Sequence, residues 1–410
     1  MADTLVPPDP ASIPDYPMPR SAECPFAPPA PVLALTAEAP VTRVRIWDGS
    51  TPWIITRHAD QRVLLADPRV SINEHLPNFP HMTAGRAAAV RGIPPLITNT
   101  DAPEHTRLRR MVNAPFMVKR VERLRPRIQQ LVDELIDAML AGPKPADLVT
   151  AIGLPVPTLV ITELLGVPYA DHEFFQLNST KTISHDATPE EARQAGGALA
   201  GYLDRLLRQK MADPAEDVLS EMAGRIAAGE MTHAEAVMMG VAILIAGHET
   251  SATMISLGTA ALLRNPEQLA LLRETDDPKV VAGAVEELLR YLTIVHTGVR
   301  RIAVADITIG GQVIRAGEGI VFDLGAADWD PREFPEPDRL DLTRPARRHH
   351  AFGYGVHQCL GQSLARVELQ IVYGTLYRRI PRLALAVPFE QVGFSFAGIA
   401  YGLHSLPVTW

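Results

Sequence analysis

One stretch constrains this chain more than any other: an apolar run of about 32 residues that opens at Thr232-x-x-Glu235 and stops before Pro266. Thr-x-x-Glu matches a capping box, in which threonine and glutamate each satisfy a backbone N–H that the first helical turn leaves free. At 1.5 Å per residue such a helix is roughly 48 Å long, enough to cross a whole domain. Its most apolar part, Val237 to Gly247, is eleven residues, well short of the ~20 that span a bilayer.

Periodicity on either side is mostly helical from Pro103 to Leu263, with breaks at Gly142–Pro145, Gly166–Pro168 and near Pro189. A further helix is predicted from Leu360 to Ile380, ended by Pro381. β-structure is confined to patches. Val41 to Thr56 alternates around Asp48-Gly49 and reads as a hairpin. Ile302 to Ile314 carries Gly310-Gly311, with Val321 beyond it, and short strands close the chain. Ten of the first 31 residues are proline, so this arm is expected to be extended rather than helical. A length of 410 residues would admit two or three domains, but no repeat or low-complexity linker divides the sequence. The expectation is a mainly α fold with small β-sheets (α+β), made of an arm at 1–31 and one large domain at 32–410.

Composition excludes several classes. With 39 basic and 47 acidic side chains the formal charge is −8, so no global attraction draws the chain to nucleic acid. MADTLVPPDP lacks the basic and apolar regions of an export signal. A soluble, cytoplasmic monomer is expected. The two cysteines, Cys24 and Cys359, are 335 positions apart, which makes neither a metal cluster nor a stapling pattern. For Cys24 a free thiol in a reducing compartment suffices.

Cys359 is different. It stands in Phe352-Gly353-Tyr354-Gly355-Val356-His357-Gln358-Cys359-Leu360-Gly361, where glycines bracket a cysteine at the start of a helix. Unpaired N–H groups and the positive end of the helix dipole stabilise a thiolate there. Glycine lets something flat approach the backbone closely. A thiolate so held suits one axial bond to a haem iron. A zinc site drawn from His349, His350, His357 and Cys359 is the competing reading, without the usual paired-ligand spacing.

Three more segments carry chemistry. Ala246-Gly247-His248-Glu249-Thr250 places an acid and an alcohol inside the long apolar helix; a threonine there can bond back to the preceding turn and loosen the ladder. Glu287-Leu-Leu-Arg290 follows the helix start Asp277-Pro278, and its two charges share one face among leucines. His105 and Arg109, in Asp101-Ala-Pro-Glu-His-Thr-Arg-Leu-Arg109, are four apart on one helical face.

Phe-x-x-Gly-x-His-x-Cys-x-Gly resembles the haem-binding loop of the cytochrome P450 haem-thiolate monooxygenases, and the resemblance extends from about Pro25 to Trp410. It is closest to the soluble actinobacterial branch that oxidises secondary metabolites and xenobiotics. The resemblance implies haem b, with Cys359 as iron ligand, Phe352 and Gly361 beside it, and His105, Arg109, Arg301 and His357 on the haem propionates. Arg300 competes for the place given to Arg301. It implies that Thr250 holds dioxygen and its water while Glu249 relays protons, Ser251 standing where relatives often have a second threonine. Glu287 and Arg290 become a structural network closed by Arg339. Relatives usually show Ala-Asn-Arg-Asp-Pro where this chain has Ala327-Asp328-Trp329-Asp330-Pro331.

The implied activity is insertion of one oxygen atom from O2, typically hydroxylation, into a lipophilic small molecule such as a polyketide, macrolide, terpenoid or xenobiotic. Electrons would come from NAD(P)H through a ferredoxin reductase and ferredoxin, with Arg347, Arg348 and Arg366 as docking candidates. The segment from Ile72 to Thr98 resembles the loop that roofs the substrate pocket; Ile97, Ile245, Ala246, Ile294, Val295 and Ile399 are its expected lining. Two other readings stay open beside zinc. A peroxide-driven haem-thiolate enzyme would not need both Glu249 and Thr250, and a haem sensor or carrier would tolerate Thr250→Ala.

Overall fold

In the computed structural model, which describes residues 13–92, 95–183, 187–396 and 400–410, the long run is a helix at His233–Arg264. The capping box forms: Glu235 N donates to Thr232 Oγ1 and Thr232 N to Glu235 Oε2. By length and composition this helix could cross a membrane, but 56% of its most apolar 18-residue window is buried. It packs against Pro155–Leu165, Pro189–Ala212 and Gln362–Arg379, so its hydropathy is that of a core helix. Gly258 shows how close one of these contacts is. A Cβ there would lie 2.0 Å from the Tyr373 hydroxyl, which donates to the Met254 carbonyl one turn earlier.

The hairpin read at 41–56 is present, Val41–Arg43 pairing antiparallel with Trp53–Ile55. It joins a five-stranded sheet through Gly319–Phe322, which runs parallel to Trp53–Ile55 and antiparallel to Val299–Ala303; Val70–Ser71 forms the far edge. Gly310-Gly311, both at positive φ, turn a separate hairpin between Ile307–Ile309 and Gln312–Ile314. The arm departs from expectation at its end. A helix begins at Ala30 with Pro31 in its first turn, where a missing N–H costs nothing. Nor does the arm merely cover the surface: Tyr16 and Phe26 are buried, and the Tyr16 hydroxyl donates to Asp323.

The Glu-x-x-Arg pair sits on the helix Pro278–Leu292, capped by Asp277. Arg290 donates to both Glu287 oxygens, at 2.7 and 2.8 Å, and both side chains are 0% exposed. The third member differs from expectation. Arg344, not Arg339, donates to Glu287, at 3.2 Å. The Arg339 side chain is 62% exposed and faces Glu336 and Asp341; it contributes its carbonyl, which accepts from Arg344. A turn separates the two, with Arg344 N bonded to Asp341 O, and it folds only the second arginine inward. The departing loop is tied to the same network: Arg290 donates to the Asp328 carbonyl, Trp329 stacks on Tyr291, and the Asp328 carboxylate accepts from Thr293 and His350 N. Burial pushes the Asp328 carboxyl up to about 6.

Candidate active site

The cysteine loop is built backwards from its glycines. Gly355 has φ +77°, and a Cβ there would lie 2.4 Å from the Leu65 carbonyl oxygen, so both backbone and space demand glycine. A short 3-10 turn at Gly355–His357 follows, and Cys359 N donates to Phe352 O at 2.9 Å, closing the loop before the helix Gln362–Arg379. Gly361 caps that helix at φ −81°, a conformation open to any residue. Its contribution is the N–H, which with that of Gln362 electrostatically favours the ionised cysteine sulfur.

Cys359 lines a crevice with Arg109, Asn113, Phe116, Met117, Val118, Lys119, Leu360, Gln362 and Ser363. Its side chain keeps accessible surface on the crevice side, yet protein crowds it on the others. Burial therefore raises the thiol above its ordinary range, opposed by the Gly361 and Gln362 N–H groups and the charges of Arg109 and Arg366. The helix start alone does not deliver the thiolate that the sequence led us to expect; a bound cation would. Beside the loop, Phe352 lies beneath the Arg366 guanidinium, 4.6 Å from its ring centre. Arg366 in turn donates to Glu286, as does His349. Burial would raise Glu286, but these bonds and the arginine charge hold it at about 2.

His105 and His357 come together, ring centres 4.1 Å apart. His105 Nε2 and His357 Nδ1 are buried without a hydrogen-bond partner among the described residues. Burial and the charges of Arg301 and His105 push His357 down to about 3; burial and Arg109 lower His105. Arg301, 7% exposed, donates only to the Arg300 carbonyl among the described residues, and burial lowers it to about 10. Strand alternation separates the two arginines: Arg301 bears on both histidines, while Arg300 faces Glu74, Arg86 and Tyr16. Two guanidiniums (Arg109 and Arg301) and two imidazoles thus stand near one cysteine; the Asp101 charge bears on Arg301 and both imidazoles, but among the described residues no carboxylate is hydrogen-bonded to any of the four. That donor set fits a flat macrocycle carrying two carboxylates, which is what haem is. Zinc is served badly by the same residues, since His349 is bonded to Glu286 and His350 to Gln61.

On the central helix, Ala246 and Thr250 are exposed although His248 and Ser251 between and beside them are buried. Positions four apart share one face, so a single stripe of this core helix is open. Thr250 donates its hydroxyl to the Ala246 carbonyl at 2.8 Å, as the sequence implied, but the helix runs on unbroken. Burial pushes Glu249 up to about 7. Sequence reading missed a second acid. Glu368, on the helix after Cys359, is 2% exposed, is raised by burial to about 7, and has the Ser251 hydroxyl as its polar neighbour. A glutamate inside an apolar helical stretch, nine residues past Cys359, was the available signal.

Of the expected lining, Ile97 and Ile294 are buried, Ile245 is half-buried, and Val295 bridges to Ala400. Ile399 lies outside the described residues. The segment 72–98 is not all loop: Ala84–Ala89 is helical, capped by Thr83, because alanine favours helix.

Residues 45–380 match the family model described as Cytochrome P450. The chain belongs to the cytochrome P450 family. It is 56% identical over the whole of both chains to "Cytochrome P450 CYP105Q4" of Mycobacterium marinum. It is 57% identical to "Cytochrome P450 GfsF" of Streptomyces halstedii, over 98% of each chain. The crystal structure of GfsF superposes with a TM-score of 0.92, covering 97% of this chain and 100% of that one. The mycinamicin VIII C21 methyl hydroxylase of Micromonospora griseorubida, solved bound to mycinamicin VIII, matches at 40% identity and TM-score 0.90, over 97% and 100%. The protein is a haem-thiolate monooxygenase of the actinobacterial branch, with the mainly helical P450 fold.

Proposed function

We propose that the Cys359 sulfur would hold the iron of haem b, and that this P450 hydroxylates a lipophilic molecule of polyketide, macrolide, terpenoid or xenobiotic type. The observation that carries the reading is the convergence of the Cys359 sulfur with Arg109, Arg301, His105 and His357, buried or half-buried groups to which no carboxylate is hydrogen-bonded among the described residues. Haem bound to a thiolate supplies reductive activation of dioxygen and transfer of one oxygen atom to a C–H bond.

The protein's residues do the rest. Gly361 and Gln362 N–H groups favour the ionised sulfur, while the two arginines and two histidines would seat the propionates. The open stripe at Ala246 and Thr250 borders the reaction space. The Thr250 hydroxyl, anchored on Ala246 O, presents its lone pairs to water. Glu249, at about 7, is close to half-protonated near neutral pH and so can both take up and release a proton. Glu368 and Ser251 make a second proton store on the buried side of the same turn. An acid near 7 beside the alcohol favours oxygen activation through delivered protons over peroxide-driven chemistry.

Electrons arrive from NAD(P)H through a separate ferredoxin and its reductase, in the cytoplasm, to a monomer. The docking face is revised from the sequence reading. Arg366 turns inward to Glu286, and Arg348 pairs with Glu333; Arg347 stays exposed. Lys119, with exposed Met117, Val118 and Val356 around the Cys359 loop, offers the cationic and apolar mixture that an acidic ferredoxin fits. The test is spectroscopic. Reduced protein treated with carbon monoxide should show the strongly red-shifted Soret band of thiolate ligation, and Cys359→Ala should lose it. Retention of the band in that variant would sink the assignment. A compound library screened for the low- to high-spin shift then identifies the substrate.

A further inference from the structure

The arm before Ala30 reaches the back of the proposed substrate wall. Arg20 Nη1 donates to the carbonyls of Phe26 and Ala27, at 3.0 and 3.1 Å, and Nη2 reaches the Thr293 carbonyl at 3.5 Å. Its guanidinium lies over Tyr401, 4.3 Å from the ring centre. These contacts join three segments far apart in sequence. Thr293 lies two residues before Val295 and Tyr401 directly follows Ala400, the bridged pair: Tyr401 N donates to Ile294 O at 2.8 Å, and Val295 bridges Ala400.

The pair adjoins the reaction space. Gly402 approaches Thr253 so closely that a Cβ would lie 3.1 Å from its methyl carbon, and Thr253 is three residues, one turn, from Thr250. Behind the wall, Phe26 packs against Tyr291, Phe389 and Phe394, and Tyr401 stacks on Phe394. The wall's own backbone is not at rest: Thr293 has φ +24°, rare for a β-branched residue, and is held by its hydroxyl on Asp328 and by Arg20 on its carbonyl. An arginine that bonds one segment, stacks on the second and ties down the turn of its own arm leaves their spacing little freedom.

We infer that Arg20 is a positioning residue for substrate recognition, clamping Ile294–Val295 and Ala400–Tyr401 from behind and so setting the width of the pocket. The inference rests on the proposed lining, in which Ile294 and Val295 face substrate. Arg20 touches no reacting atom. Its removal should leave haem ligation intact and alter only how large ligands fit.

The experiment uses the haem-loaded full chain and two azole probes that bind iron through nitrogen, imidazole itself and the bulky clotrimazole. Wild type, Arg20→Ala and Arg20→Lys are first compared by the reduced carbon monoxide spectrum. Both variants should keep the red-shifted band. Arg20→Ala should then change clotrimazole affinity by about five-fold or more while imidazole affinity stays within about two-fold, and hydrogen exchange should rise at residues 400–403. Arg20→Lys keeps the charge but not the fork and should fall between. If Arg20→Ala binds both azoles like wild type, the inference is overturned; if it shifts both equally, the clamp acts on the haem and the inference fails as well. Should Arg20→Ala not fold, Arg20→Lys and the milder Tyr401→Phe, which retains a stacking ring, carry the comparison. Failure of the functional reading is distinguishable, because wild type itself would then lack the red-shifted band.

Discussion

The buried carboxylate of Glu287 offers the sharpest test of how the fold is held. Four donors surround it: Arg290 Nε and Nη2, Asp341 N at 3.1 Å and Arg344 Nε. Arg290→Ala removes two of them and strands the carbonyls of Asp328 and Pro337, which its Nη1 serves. Breaking a fully buried pair from one side costs about 3–5 kcal/mol. Arg344→Ala removes one charge-assisted bond and leaves three donors in place. Its guanidinium also serves the carbonyls of Pro335, Glu336 and Arg339, but at positions water can reach. The expected cost is about 1.5–3 kcal/mol. Arg339→Ala removes an exposed side chain from surface pairs and should cost less than about 0.5 kcal/mol. The three variants, unfolded in urea with the haem-loaded protein and followed by circular dichroism and Soret absorbance together, should rank Arg290, Arg344, Arg339. If Arg339→Ala lowers stability as much as Arg344→Ala, the assignment of Arg344 to the network is wrong.

Other consequences follow from burial and close packing. Glu249 and Glu368 have folded values of about 7 against an ordinary 4.5. A raised carboxyl stabilises the fold most below its unfolded value and loses that contribution as pH rises through its folded value. Urea midpoints should therefore decline between about pH 4.5 and pH 7 and level off above it, and Glu368→Gln should flatten the decline; an unchanged slope would remove Glu368 from the account. Turnover limited by proton delivery should also fall as pH rises through about 7, and Glu249→Gln should abolish that limb of the kcat profile. Thr250→Ala should leave the reduced carbon monoxide spectrum intact but lower product formed per electron by on the order of 10²-fold, measured as product against NAD(P)H consumed. Gly258→Ala must displace the Tyr373 hydroxyl and should cost about 1–3 kcal/mol in thermal or urea unfolding, despite alanine's better helix propensity.

Much of the candidate site's geometry was legible because its residues act through local sequence. A capping box, a glycine at positive φ, and a threonine bonding its own preceding turn involve partners within five residues, so the motif contains its own geometry. Cys359 with its flanking glycines, Glu249 with Thr250, and Glu287 with Arg290 are of that kind. Errors arose where a partner lay across a turn. Arg339 and Arg344 are equally charged and five residues apart, and only the fold of the intervening turn decides which faces inward. Arg366, taken for a docking residue, is drawn into the protein by Glu286, 80 positions away. Glu368 went unread because a lone acid in an apolar helix acquires meaning only from what stands opposite, here Ser251.

The sequence by itself determined the family, the helical framework and the glycine-bracketed turn that carries Cys359, since each rests on contacts between near neighbours. Which arginines pair, how far burial shifts each acid and thiol, and what the arm's Arg20 grips were decided only by tertiary structure. Those properties depend on distances between segments hundreds of residues apart and on exclusion of water, and neither quantity exists until the chain has closed.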